Sequence, residues 1–329
     1  MKKIVITGGA GFIGSQIVDR FAALYPAAKV VVLDKMTYAA DIRNIMQHVS
    51  TNRIQLIVGD IREQHVCDTA VRDADLVIHA AAESHVDNSF GNSLEFSKTN
   101  VLGTHSLMES CRQAGVPKII HVSTDEVYGE VCEGSASEQT ILHPTNPYSA
   151  SKAAAEMIIN GYLRSFKLPV TIVRANNIFG IRQYPEKIIP KFIMLLGAGQ
   201  KLTIHGTGEN TRHFLSVHDF TAALALVVEK AKPGDIYNIG AEEEYSNLEV
   251  ANMICRVFGL EPQDHLSFVS DRPFNDARYA IDWSRIAQLG WKPEGSLKAE
   301  LPQIASWYIE NFERYSENGT APVRRPVAA

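Results

Sequence analysis

A glycine-rich turn set between a strand and a helix constrains this chain more than any other feature. Residues 3–7 are a short apolar run, and Gly8-Gly-Ala-Gly11-Phe-Ile-Gly14 follows at once. Ile13, Ile17, Val18 and Phe21 then recur at helical spacing in a stretch from Phe12 to about Leu24. Strand, glycine turn and helix in that order form the opening of a dinucleotide-binding βαβ unit. Gly9 and Gly11 permit the tight turn and the approach of backbone to a pyrophosphate. Gly14 permits close helix–strand packing, and the helix N-terminus favours phosphate charge. Gly8, Gly11, Phe12, Ile13 and Gly14 are therefore assigned to cofactor binding. A second strand, Val30 to Leu33, ends in Asp34, twenty residues after Gly14. A carboxylate there can bind the adenosine ribose hydroxyls and repels a 2′-phosphate. The cofactor expected is NAD rather than NADP, although the adjacent Lys35 carries the opposite charge. Lys35 and Thr37 belong to the same cofactor loop.

The alternation of strand and helix continues. Ile54 to Val58 reads as a third strand, closed by Gly59-Asp60-Ile61, where Asp60 and Ile61 can hold the adenine edge. Leu76 to His79 is a fourth, followed by Ala80-Ala81-Ala82-Glu-Ser84-His85. Those small residues let backbone lie against a cofactor; a tight sheet–helix contact explains them equally well. Phe96 to Ala114 reads as one long helix, with Thr99 near its start on the cofactor side. Lys118 to Val122, after Pro117, and Val170 to Arg174, ending in Ala175-Asn-Asn177, are further strands. Alternation of this kind predicts an α/β fold with a doubly wound parallel sheet, the Rossmann arrangement.

Composition narrows the setting. A hydrophobic share of 45% with 21% charged residues is that of a soluble globular protein. A net charge of −5 argues against a nucleic-acid or anionic-membrane partner. No apolar run approaches bilayer-spanning length, and Ile4 to Ile6 is too short for a signal-peptide core. The four cysteines, Cys67, Cys111, Cys132 and Cys255, lack CxxC spacing. They are expected to be free thiols in a reducing cytoplasm, with no metal site and no disulfide framework.

The chemistry concentrates between residues 121 and 152. His121-Val-Ser-Thr124-Asp125-Glu126-Val-Tyr-Gly129 lies at the end of the 118–122 strand, and Tyr148-Ser-Ala-Ser-Lys152 opens a helix running to Phe166. Tyr148 and Lys152 are four apart and share a helix face. In an open α/β sheet, ligands bind beyond the carboxyl ends of the strands, so these side chains can surround one substrate. A tyrosine titrates near about 10 and is a poor base at neutrality. A nearby Lys152 ammonium is expected to lower that value, letting Tyr148 take a proton from a substrate hydroxyl as a hydride leaves the same carbon. Asp125 and Glu126 are like charges in one place, so one carboxyl should be pushed towards its protonated form, giving an acid beside a base.

After Gly180 the character changes. Tyr184-Pro-Glu186-Lys187-Ile-Ile-Pro-Lys191 is a Pro-broken segment leading into a short helix. Leu202 to Ile204 is a short strand, and Asn210-Thr-Arg212 leads back towards the sheet, which gains a strand at Asp235 to Ile239. Asn247 to Phe258 and Leu301 to Phe312 are helices, and Asp271 to Tyr279 is a polar loop. The expected domains are residues 1–180, with a return segment at about 212–242, for the cofactor, and 181–211 with 243–315 for substrate. Residues 316–329 are expected to be a loosely attached tail. Lys187, Lys191, Arg212 and Arg272 suit a diphosphate, though each alone is more often a solvated surface charge.

These residues carry a resemblance. The chain resembles the extended short-chain dehydrogenase/reductases, and within them the nucleotide-sugar 4,6-dehydratases. The likeness runs from Gly8 to about Trp291. It rests on Gly8-xx-Gly11-xx-Gly14, Asp34-Lys-Met-Thr-Tyr38, Gly59-Asp-Ile-Arg62, Ala81-Ala-Glu-Ser-His-Val-Asp87, Ser123-Thr-Asp-Glu-Val-Tyr-Gly129, Tyr148-xxx-Lys152, Pro185-Glu-Lys-Ile-Ile-Pro190 and Arg272-Pro…Asp276-xx-Tyr279. The resemblance implies that Tyr148 takes the C4 hydroxyl proton, with Thr124 hydrogen-bonded to that oxygen. Glu126 then removes the C5 proton and Asp125 protonates the C6 hydroxyl, which leaves as water. It further implies a nucleotide-sugar substrate held by Ser84, His85, Thr124, Asn177, Glu186, Lys187, Lys191, Arg212, Asn247, Arg272 and Tyr279, and a product that feeds synthesis of 6-deoxyhexoses such as rhamnose. Bacterial dTDP-glucose enzymes of this kind commonly have Gly-His at Phe274-Asn275 and Trp at Phe214, so UDP-glucose is slightly favoured over dTDP-glucose. The alternatives are a 4-epimerase or a dehydratase for an N-acetylated sugar. A non-catalytic NAD-sensing protein is expected to lack Tyr148, Lys152 or a carboxylate, and this chain lacks none.

A homodimer is also expected. The 96–114 and 151–166 helices follow neighbouring strands and should lie side by side. Leu102, Leu107 and Met108 on the first, and Met157, Ile158, Ile159, Tyr162 and Leu163 on the second, exceed a single apolar stripe. The same helix pair of a second copy can cover the excess.

Overall fold

The computed structural model describes residues 1–271, 276–316 and 321–327. Strands β1 (Lys3–Thr7), β2 (Lys29–Asp34), β3 (Ile54–Val58), β4 (Leu76–His79), β5 (Ile119–Thr124) and β6 (Val170–Ala175) are nearly continuous apolar runs, as strands covered on both faces require. Four more follow before residue 240: β7 (Asn177–Phe179), β8 (Leu202–His205), β9 (Thr211–Ser216) and β10 (Ile236–Ile239). β11 (Glu244–Ser246) and β12 (Leu266–Val269) complete the described strands. Seven of them form one parallel sheet in the order β10-β6-β5-β4-β1-β2-β3. Val5 pairs with Val31 on one side and Val77 on the other, so the strand order reverses about β1. The crevice at that reversal lies beyond Thr7, Asp34, His79 and Thr124, and ligands of such sheets bind there.

Two layers of helices close the sheet. On one face Ile17 and Phe21 of helix Phe12–Leu24 pack with Phe220 and Leu224 of helix Val217–Lys230. On the other, Cys67, Leu107, Met108, Ile159 and Tyr162 are drawn from helices Gln64–Val71, Thr104–Ala114 and Pro147–Phe166. A second core, with Ile193, Ile254, Leu301 and Tyr308, belongs to the smaller lobe. Its sheets are β11-β9-β7 and β12-β8. Ile286 and Trp291 pack on the large domain, although they follow the small lobe in sequence. Residues 321–327, expected to be loose, are tied to the small lobe: Val323 and Arg324 donate to the Gly197 carbonyl and Val327 to that of Val257.

Two expectations about the 96–114 and 151–166 helices need correction. The first is not one α-helix: Ser93–Phe96 passes into a π-helical stretch, Ser97–Gly103, before Thr104–Ala114. Such insertions often mark functional sites. Here the stretch turns the buried Asn100 onto the loop after β4, where its side chain bonds both backbone groups of Glu83 and the Ser151 hydroxyl. Secondly, Leu107, Met108, Ile159 and Tyr162 are buried within one chain, in the core on this face of the sheet. Ile158 and Leu163 are half-buried, and the apolar side chains left exposed are Leu102 and Met157, 56% and 54% exposed, and Phe166.

Candidate functional site

One cavity of about 440 Å³ runs from the glycine turn across the strand ends into the small lobe. Every cofactor residue expected from the sequence lines it: Gly8, Gly11, Phe12, Ile13, Gly14, Asp34, Lys35, Thr37, Asp60, Ile61, Ala80, Ala81, Ala82 and Thr99, with Tyr148 and Lys152. Two glycines are required by geometry. Gly8 has φ +71° and a Cβ there would lie 2.7 Å from Ala81 backbone. A Cβ on Gly14 would lie 2.0 Å from the Gly8 carbonyl oxygen. Asp34 ties the loops together, accepting from Ala10 N (2.9 Å) and Met36 N (2.8 Å). Burial raises its pKa, against those backbone donors. Lys35 does not cancel the Asp34 charge, because it pairs with Asp60 at 3.0 Å. Arg62 bonds Asp60 as well, and these hydrogen bonds outweigh burial to hold the Asp60 carboxyl below its ordinary value.

The candidate catalytic group is built from one strand end and one helix start. β5 stops at Thr124, whose hydroxyl accepts from Glu126 N (3.3 Å) and caps the short turn Asp125–Tyr128. The turn is braced from below: Tyr128 Oη donates to Asn238 and accepts from Arg174, which forms a buried ion pair with Glu156 at 2.6 Å. Helix Pro147–Phe166 begins with Asn146 in a capping box and Pro147 at its first position, which holds Tyr148 in the first turn and Lys152 one turn on. Glu126, Tyr148, Lys152 and Thr124 line the cavity; Asp125 sits in the wall beside them, accepting from Asn176 Nδ2 (2.7 Å) and the Thr124 hydroxyl (3.1 Å). Asn146 Nδ2 donates to Glu126 Oε2 (3.2 Å).

The electrostatics divide the two carboxyls from the ordinary range. Burial first, and the Glu126 charge second, push Asp125 up to about 7. Burial also raises Glu126, with Lys187, Asn146 and Arg212 drawing it back. Both carboxyls are thus pushed towards their protonated forms, and for Asp125 desolvation contributes more than like-charge crowding. The expectation for Tyr148 is reversed. Burial and then the Glu126 charge raise the phenol, and the Thr124 hydroxyl offsets this only in part. Lys152 does not undo it: its ammonium donates to the Val122 carbonyl at 2.7 Å, and burial pushes it down to about 8 against the pull of Glu156. Behind Lys152, burial and then the Lys152 charge push His79 down to about 3 and His121 well below its ordinary value, so both rings stay neutral.

Of the expected substrate residues, Ser84, His85, Thr124, Asn177, Glu186, Lys187, Lys191, Arg212, Asn247 and Tyr279 all line the cavity. Arg272 lies outside the described residues, as do Phe274 and Asn275. Arg212 stacks over the Tyr279 ring at 4.6 Å, and Tyr279 Oη donates to Asp276. Lys187 Nζ donates to the Ser84 carbonyl (2.7 Å) and Glu186 accepts from Tyr38 Oη (2.8 Å), so both are also structural. Asn146 and Asn176, the partners of the two carboxyls, are absent from the sequence-derived set. Asn146 had a signal, since Asn-Pro reads as a helix cap; for Asn176 only its place after a strand was available.

A model of the GDP-mannose 4,6 dehydratase family matches residues 5–303. The chain belongs to that family. A trifunctional UDP-glucose 4,6-dehydratase/UDP-4-keto-6-deoxy-D-glucose 3,5-epimerase/UDP-4-keto-L-rhamnose-reductase of Arabidopsis thaliana, RHM2, is 43% identical over 99% of this chain and 50% of its own length. The chain thus spans about half of that relative. The dTDP-D-glucose 4,6-dehydratase of Dictyostelium discoideum is 40% identical over 94% of this chain and 82% of its own. Among solved structures, DesIV, a dTDP-glucose 4,6-dehydratase from Streptomyces venezuelae with NAD and TYD bound, superimposes with a TM-score of 0.93 at 38% identity, covering 95% of this chain and 99% of that one.

Proposed function

We propose that this family member is an NAD-dependent 4,6-dehydratase of a nucleoside-diphosphate glucose, converting UDP-glucose or dTDP-glucose to the 4-keto-6-deoxy sugar and water. The observation that carries the reading is Glu126 and Tyr148 in the same cavity as the glycine turn and Asp34, with Asp125 buried in the adjoining wall. Redox chemistry at C4 alone, as in a 4-epimerase, needs the tyrosine but neither carboxyl. Elimination of water needs both an acid and a base.

The cofactor fits the residues: the cradle at Gly8 and Gly14 has no room for a Cβ, and Asp34 offers a carboxylate where a ribose would lie. When bound, NAD supplies the hydride acceptor and donor and a positive ring charge that favours the Tyr148 phenolate. Tyr148 takes the C4 hydroxyl proton, and Thr124 steadies that oxygen. The 4-ketone acidifies C5, whose proton passes to Glu126. Asp125, protonated near neutrality, delivers its proton to the C6 hydroxyl, and water leaves. Glu126 then returns its proton to C5 as C6 is reduced. Lys187, Lys191 and Arg212 supply positive charge for the diphosphate.

UDP-glucose is favoured slightly. The cavity carries Phe214 in the small lobe, and the UDP-glucose-acting relative is the more similar of the two described above. We further infer a cytoplasmic homodimer, in which Leu102, Met157 and Phe166 of two copies cover one another. Incubation with UDP-glucose, dTDP-glucose and UDP-N-acetylglucosamine separately, with mass analysis for loss of one water, tests the reading. Loss from a glucose nucleotide is expected; loss from the N-acetylated sugar alone, or a mass-neutral epimerisation, would overturn it.

A further inference from the structure

We propose that Tyr38 and Glu186 form a latch between the two lobes that slows departure of the dinucleotide, an inference that rests on the NAD reading above. Tyr38 stands in the loop after β2, whose Thr37, Ala39 and Ala40 face the cavity. Tyr38 itself does not line it. Its phenol reaches across the outside of the rim and donates to Glu186 Oε2 at 2.8 Å. Asn88 Nδ2 donates to the same phenol oxygen at 3.2 Å, and the Tyr184 ring meets the Tyr38 ring edge-on at 5.2 Å. Glu186 is also 3.7 Å from His85 Nδ1, with both side chains nearly buried.

The latch is one of three struts on a single short segment. Residues 182–187 lead into the small lobe. Arg182 pairs with Asp19 of helix Phe12–Leu24 at 2.8 Å, Glu186 holds Tyr38, and Lys187 holds the Ser84 carbonyl at 2.7 Å. The three anchors belong to the helix after the glycine turn, the loop after Asp34 and the loop after β4. The first two segments directly follow Gly11 and Asp34 and the third contains Ala81, residues between which a dinucleotide would lie. The segment therefore straps the cofactor cleft shut from the substrate side. Retention suits a reaction in which the cofactor ends each cycle as it began and has no need to leave. Tyr38–Glu186 is the strut most open to solvent, with Tyr38 49% exposed, so it is the one that can break first.

Tyr38→Phe removes the hydroxyl and nothing else. The full chain is loaded with etheno-NAD, mixed with excess NAD, and the fluorescence change gives the dissociation rate. Loss of a partly exposed hydrogen bond to a carboxylate is expected to speed release about fivefold. Glu186→Gln should act in the same direction, and the double variant should release no faster than the quicker single one, because one contact is being removed twice. Thermal denaturation should be unchanged in Tyr38→Phe, separating retention from folding. A Tyr38→Phe rate equal to that of the parent, or effects of the two substitutions that multiply, would overturn the latch while leaving the cofactor assignment intact. Failure of the parent chain to take up the analogue would overturn both.

Discussion

Asp125→Asn tests the electrostatic core of the site without altering its shape. The amide oxygen of the substituted side chain can still accept from Asn176 Nδ2, so the wall should keep its geometry. What disappears is a buried proton-binding group whose pKa stands at about 7 against an ordinary 3.8. The folded chain holds that proton more tightly than the unfolded chain does. Stability contributed by Asp125 is therefore present in full at low pH and falls as pH rises from about 4 to about 7, then levels. About three pH units at about 1.4 kcal/mol each give a ceiling of about 4 kcal/mol. Urea unfolding of the two proteins at about pH 5 and about pH 8 measures it. Between these two conditions about two of those pH units are crossed, so the variant should gain on the parent by up to about 2.7 kcal/mol and be the more stable at the higher one. Its dehydration should be nearly abolished, since the acid is gone, and parental activity should decline above about pH 7 as Asp125 ionises. Stability curves of parallel slope would show that Asp125 is ionised in the folded chain, and the acid assignment would fail.

Three further outcomes follow from single residues. Glu126→Gln removes the C5 base alone, so turnover should fall about 10²- to 10⁴-fold while absorbance of bound reduced nicotinamide builds up on adding substrate; normal turnover would remove Glu126 from the mechanism. Asp34→Ala deprives Ala10 N and Met36 N of their acceptor and removes the carboxylate, so NAD binding should weaken while NADP entry eases; an unchanged preference in a cofactor titration would show that Asp34 does not face the ribose. Met157→Glu places a charge on the exposed apolar face, and light scattering should shift from about twice the 36.3 kDa chain mass to the single mass; a parent that is already monomeric would end the dimer proposal.

The parallel strands were legible because burial on both faces leaves runs such as Val30–Val32 with no polar interruption. The glycine turn and the Tyr148/Lys152 spacing were legible because both act within a few residues. What was hidden depends on distance in sequence. Asn176 reaches Asp125 across 51 positions and Tyr38 reaches Glu186 across 148, and no local pattern announces either pair. The wrong sign for Tyr148 has the same origin. Spacing put Lys152 on its helix face, but the degree of burial and the path of Lys152 to the Val122 carbonyl are properties of the packed fold. The strands β7 and β11, three residues each, carry too few residues for periodicity to show. The π-helical stretch at Ser97–Gly103 keeps a helix-like sequence while shifting its side chains, so the expected helix was continuous where the real one changes pitch. Ile159 was expected on the assembly face, and only the fold reveals that it is buried in the core of one chain.

The most direct test of the account follows one hydrogen. UDP-glucose and dTDP-glucose carrying deuterium at C4 are converted by the full chain with NAD, and the product is read by NMR. Transfer within one site predicts that the deuterium moves from C4 to C6 of a 4-keto-6-deoxy sugar, while C5 keeps a hydrogen delivered by Glu126. Deuterium that remains at C4, as in an epimerised product, or that is lost to the medium, would contradict the assignment of Tyr148, Asp125 and Glu126 to a single dehydration.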